Sequence, residues 1–103
     1  MPAYKISITK SAERDIEECV KYISRDNRAA AGRWLDEILE RIGFLEKYHG
    51  RAPEIPESFV VGGNHRHLVF GKYRIIFNIK GNKVIIMRVI HSARLLDLDE
   101  RVG

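Results

Sequence analysis

Apolar positions in the first half of the chain follow two rhythms. Tyr4, Ile6 and Ile8 alternate with Lys5, Ser7 and Thr9, the period of a short half-buried strand. Ile16, Cys19, Val20 and Ile23 then recur at i, i+3, i+4 and i+7, which predicts an amphipathic helix. Ser11 is its expected N-cap. Glu13 and Asp15 lie in the first turn, where carboxylates suit the positive end of the helix dipole, and the helix is expected to end near Arg25. Asp26 and Asn27 break the pattern, and either can cap a second helix from about Arg28 to Tyr48. The apolar stripe of that helix is Ala31, Trp34, Leu35, Ile38, Leu39, Ile42 and Leu45, with Asp36, Glu37, Glu40, Arg41, Glu46 and Lys47 mostly on its other side. A short link between two amphipathic helices implies an antiparallel helical hairpin. The stretch from Gly50 to Glu57, with Pro53 and Pro56, reads as an irregular connection.

Three strand patterns follow, at about His65–Phe70, Tyr73–Lys80 and Lys83–His91. Gly71-Lys72 and Gly81-Asn82 separate them, and a two-residue turn with glycine first suits a hairpin. Such turns fix the register. Counting back from Gly81-Asn82 sets Ile79 opposite Val84, Phe77 opposite Ile86, Ile75 opposite Arg88 and Tyr73 opposite Ile90. Only Arg88 interrupts this apolar face, so it is the one expected under the helices. The other face then collects Lys72, Arg74, Asn78, Lys80, Lys83 and His91 among Ile76, Ile85, Met87 and Val89, with His65, His67 and Val69 added by the first turn. In this register Arg74 faces Val89, and Lys72 lies near His91. The predicted fold is α+β: an N-terminal strand, an antiparallel two-helix hairpin, then a three-stranded antiparallel meander with the helices on one face.

At 103 residues the chain fits one domain, expected over 1–103. A chain of this size can bury roughly 60–70% of its unfolded surface, enough for a core without staples. No apolar run approaches the ~20 residues of a membrane span, and the N-terminus lacks the pattern of a signal peptide. With Cys19 as the one cysteine, no internal disulfide can form, and a reducing cytoplasm is the expected setting.

Charge changes the picture. Residues 1–50 carry nine Lys/Arg and nine Asp/Glu, whereas residues 51–103 carry nine and five. From Ser58 to Leu96 there are seven Lys/Arg, three His and no carboxylate. The bland explanation is a solubilising surface; the sharper one is a basic face for an anionic macromolecule, nucleic acid or acidic protein. His65-x-His67 has no carboxylate or thiol near it in sequence, so neither a metal site nor a cofactor is expected. Cys19 and Trp34 read as core residues, and no Gly-rich phosphate loop or nucleophile–base pattern is present.

The order of elements, together with SAERDIEECVKYIS in the first helix and GKYRIIFNIKGNKVIIMRVIHSAR in the last two strands, resembles the RelE/ParE superfamily of toxins from type II toxin–antitoxin pairs. The resemblance covers nearly the whole chain, and YRIIF followed by VIHSAR is more similar to the ParE branch. ParE-like members imply a growth inhibitor of DNA gyrase that acts by protein–protein binding, without hydrolytic chemistry of its own. The alternative it implies is a RelE-like ribosome-dependent mRNA endonuclease, in which Arg74, His91 and Arg94 would be the catalytic set. Such cleavage needs a base, an acid and a cation for the phosphorane. After His91, however, the chain reads Ser92-Ala93-Arg94-Leu95-Leu96-Asp97-Leu98, without the aromatic residue or dense basic cluster of the nucleases. The expected target-binding residues are therefore Lys72, Arg74, His91, Arg94, Leu95 and Leu96. The bland role for Arg74 and His91 is a network at the sheet edge that holds the C-terminus. The implied partners are a cognate ParD-like antitoxin with an acidic C-terminal segment, in a hetero-oligomer, and gyrase as target; no membrane is involved.

Overall fold

The computed structural model of the chain describes residues 3–55 and 65–91. Strand β1 (Lys5–Ile8) leads into helices α1 (Lys10–Ser24) and α2 (Arg28–Tyr48), a single 3-10 turn (His49–Arg51), and strands β2 (His65–Phe70), β3 (Tyr73–Lys80) and β4 (Lys83–His91). The order across the sheet is β1-β4-β3-β2, with β1 parallel to β4 and the other pairs antiparallel. The helical hairpin is thus the crossover that returns the chain to the meander, and it leaves β4 between two neighbours.

Local chemistry explains the boundaries. The N-cap of α1 is Thr9, two residues before the expected Ser11: its Oγ1 accepts from the Ala12 N–H at 3.2 Å. The same hydroxyl lies 2.9 Å from the Ile86 carbonyl, to which the Thr9 N–H also donates at 3.1 Å. Thr9 therefore ends β1 and starts α1 in one residue, leaving no room for a later cap. Asn27 caps α2 by accepting from the Ala30 N–H at 3.0 Å. Both hairpin glycines have positive φ, +58° at Gly71 and +60° at Gly81, and no other described residue does. That is the type II′ geometry, with glycine first, that the right-handed twist of the strands favours.

The core lies between the helices and one face of the sheet. Ala12, Ile16, Ile38, Ile42 and Leu45 meet Ile75, Phe77, Val84, Ile86 and Val89, with Trp34 and Leu35 packed against them. Leu39, expected on the buried stripe, is 46% exposed. It sits at the edge of an arc already filled by Ile38, Ile42 and Leu45.

Candidate functional site

The far half of the β3–β4 ladder decides what the sheet can present. From the turn the pairs run Lys80↔Lys83, Ile79↔Val84, Asn78↔Ile85 and Phe77↔Ile86, as the two-residue turn requires. Between Phe77 and Ile76 the register slips by one: Ile76 pairs with Arg88, Ile75 with Val89, Arg74 with Ile90 and Tyr73 with His91. Met87 is the extra residue of a β-bulge. The expected pairs Ile75–Arg88, Tyr73–Ile90 and Arg74–Val89 are therefore overturned, and His91 pairs with Tyr73, the residue after Lys72.

The physical reason is Arg88. In a regular ladder its guanidinium would point into the apolar core, where an unpaired charge is costly. Instead it meets Asp15 of α1, with Nε donating to Oδ2 at 2.7 Å and Nη2 to Oδ1 at 3.2 Å. The Val89 N–H, displaced from the ladder, donates to the same Oδ2 at 2.9 Å. One carboxylate thus satisfies both the charge and the backbone donor that the bulge exposes.

The bulge separates two residues that the sequence places together. His91 now leaves β4 on the helix side, its ring 5.8 Å from that of Tyr73, which in turn lies 5.4 Å edge-on to Trp34 of α2. Arg74 stays on the opposite face with Ile90 and is only 4% exposed, its Nη1 3.4 Å from His67 Nδ1. That face is not bare either: Ile55, Ile76 and Ile90 form a second buried cluster with Met87 against it. Lys72 is exposed in the β2–β3 turn. Arg94, Leu95 and Leu96 lie outside the described residues.

On the helix side a groove of about 410 Å³ runs between α1 and the end of β4, lined by Asp15, Glu18, Cys19, Tyr22, Tyr73 and His91. Burial pushes the Cys19 thiol up, and the Asp15 carboxylate adds to the shift. Burial likewise raises the Tyr73 phenol. Both groups are held in their neutral forms, so neither is an activated nucleophile. Burial lowers the His65 imidazole, whose Nδ1 has no hydrogen-bond partner among the described residues. No cluster of three His, Cys, Asp or Glu suited to a metal exists among the described residues. No helix among them is long and apolar enough to cross a membrane.

Two exposed apolar side chains escaped the sequence patterns, Tyr22 at 66% and Phe44 at 50%, whereas Val69, which the first turn sets on the second face, is 53% exposed there. Phe44 could have been found, because it falls between the buried stripe positions Ile42 and Leu45.

The family model of the ParE toxin of the type II toxin–antitoxin system parDE matches residues 6–96. No curated protein matches the sequence. Among solved structures, a chain of the chromosomal ParDE TA system from P. aeruginosa is similar at 18% identity and a TM-score of 0.69, covering 86% of this chain and 96% of that one. A chain of the toxin–antitoxin complex RelBE2 from Mycobacterium tuberculosis is similar at 22% identity and a TM-score of 0.63, covering 86% and 98%. At these identities the two structures speak to the fold.

Proposed function

We propose, because the chain belongs to the ParE toxin family of type II toxin–antitoxin systems, that it inhibits DNA gyrase by protein–protein binding and is neutralised by a cognate ParD-like antitoxin with an acidic C-terminal segment. The observation that carries this reading over RNA cleavage is the separation of Arg74 from His91. A base and a phosphorane-stabilising cation must converge on one scissile phosphate. Here Arg74 is buried opposite Ile90, while His91 faces Tyr73 on the other side of the sheet. In this reading Lys72 and His91 meet the target from the surface, together with Arg94, Leu95 and Leu96. Arg74 supports them from beneath as part of the sheet.

The test uses the purified chain in a gyrase supercoiling assay beside a primer-extension assay on ribosome-bound message. Loss of supercoiling with intact message is the expected result. Codon-specific cuts that disappear in Arg74→Ala would replace this reading with the endonuclease.

A further inference from the structure

Helix α1 grips β4 at the place where its ladder is irregular. Strand β1 pairs with β4 only as far as Ile8↔Ile86, and the next residue, Met87, is the extra one in the β3–β4 ladder. Past that point the first turns of α1 take over from β1. The Thr9 hydroxyl, 2.9 Å from the Ile86 carbonyl, also lies 3.1 Å from the Met87 carbonyl. Further along the helix, the Asp15 carboxylate accepts from the Val89 N–H at 2.9 Å and from the Arg88 guanidinium at 2.7 and 3.2 Å. A hydroxyl and a carboxylate thus bracket the bulge from Ile86 to Val89. Thr9 is also the N-cap of α1, so the helix itself fixes the spacing between the two.

Counting along the ladder shows what this bracket decides. With the extra residue at Met87, Tyr73 pairs with His91 and Arg74 with Ile90. Without it, the pairs that begin Ile79↔Val84 and Phe77↔Ile86 would continue as Ile75–Arg88, Arg74–Val89 and Tyr73–Ile90. His91 would then leave the strand on the Arg74 face, away from the groove that it shares with Glu18, Tyr22 and Tyr73. The two arrangements differ by one residue of slip. In the regular one Met87, Val89 and Ile90 remain apolar residues opposite Ile76, Arg74 and Tyr73. Only Arg88 is misplaced, opposite the fully buried Ile75. The apolar pattern of β4 thus suits both registers, and the choice between them falls to Arg88 and the carboxylate that holds it.

We infer that Asp15 is a positioning residue: by holding Arg88 and the Val89 N–H together, it fixes the face of the sheet from which His91 is presented. The inference rests on the reading that His91 meets the target, and it adds how the fold chooses the side from which it does so.

The test is the double variant Asp15→Leu/Arg88→Leu, made in the full chain. The two side chains are 14% and 18% exposed, and replacing such an ion pair by apolar residues is often neutral or stabilising, so the variant should fold. Nuclear Overhauser contacts across the strands read the register. The parent should show Tyr73 against His91. The double variant should show Tyr73 against Ile90 and Arg74 against Val89 instead. Deleting Met87 in that background takes the extra residue out of β4, so it should return His91 to Tyr73 without help from Asp15. Inhibition of gyrase supercoiling should weaken about thirtyfold in the double variant, the loss of one strong contact, and return toward the parent's on the deletion. The inference is overturned if the double variant keeps the Tyr73–His91 contacts, or if inhibition is unchanged once they are gone. It is also overturned if the deletion restores the contacts but not the inhibition, since Asp15 would then act by touching the target itself. Asp15→Val/Arg88→Met, nearer in volume to the parent pair, takes over if the first variant does not fold. If neither folds, the pair holds the fold rather than the register, and the inference fails. If the parent does not inhibit gyrase, the proposed function fails and the contact pattern alone decides the positioning role.

Discussion

The two faces of the sheet are held by different means. The helix-side face presents Ile75, Phe77, Val84, Ile86 and Val89 to a continuous apolar layer from two helices. Among the described residues the opposite face has three buried apolar side chains, Ile55, Ile76 and Ile90, with Met87 beside them, and the buried Arg74 next to His67. The helix side is dry and large, so it can supply most of the folding free energy. The other side is small and mixed with polar groups that need particular partners.

Adjacent residues on β3 give the sharpest test of that contrast. Phe77→Ala should cost about 3–5 kcal/mol, since it empties the middle of the helix-side core. Ile76→Ala should cost about 2–3 kcal/mol, near the lower limit for such truncations, because few buried side chains frame it. Urea unfolding of both variants measures the difference. Equal losses would mean that the second cluster is as much a core as the first, and the comparison would break.

Asp15→Ala should follow, at about 2 kcal/mol, the scale of hydrogen bonds to a charged group. It leaves the Arg88 guanidinium and the Val89 N–H without their common acceptor. The accompanying signature is faster amide exchange at Val89 with unchanged exchange at Val84, which lies on the turn side of the bulge. Uniform loosening along β4 would show that the carboxylate supports the whole strand rather than the bulge.

The same bulge marks the limit of what the sequence makes legible. Strand and helix spans, the two-residue turns and the first four β3–β4 pairs follow from periodicity and glycine placement, which are local. The slip at Met87 does not. It depends on Asp15 standing within reach of Arg88, 73 positions apart in sequence, and no period encodes that meeting. Arg88 on an otherwise apolar face was the one visible warning, since a charge at a core position must find a partner or leave. The candidate site inherited the error, because the face of every residue from Val89 to His91 changes with the slip.

The smallest expected effect concerns His65, at the start of the edge strand, where the mixed face meets solvent. Its imidazole is held below the ordinary value of 6.5 by burial. A neutral ring tolerates the site because the buried Nδ1 can remain an unprotonated acceptor; an imidazolium would place an N–H there with no acceptor among the described residues. The unfolded chain therefore binds a proton more readily than the folded one at this position. The linkage sign follows: the contribution to stability is fully present above about pH 6.5 and is lost as pH falls through the lower folded value. The expected outcome is a modest decline in thermal midpoint between pH 7.5 and pH 5. His65→Gln, which removes this titration and leaves His49, His67 and His91 in place, should flatten part of that decline. Midpoints of parent and variant measured side by side across the range check it. Parallel slopes would leave the edge of the mixed face without a role in the pH response.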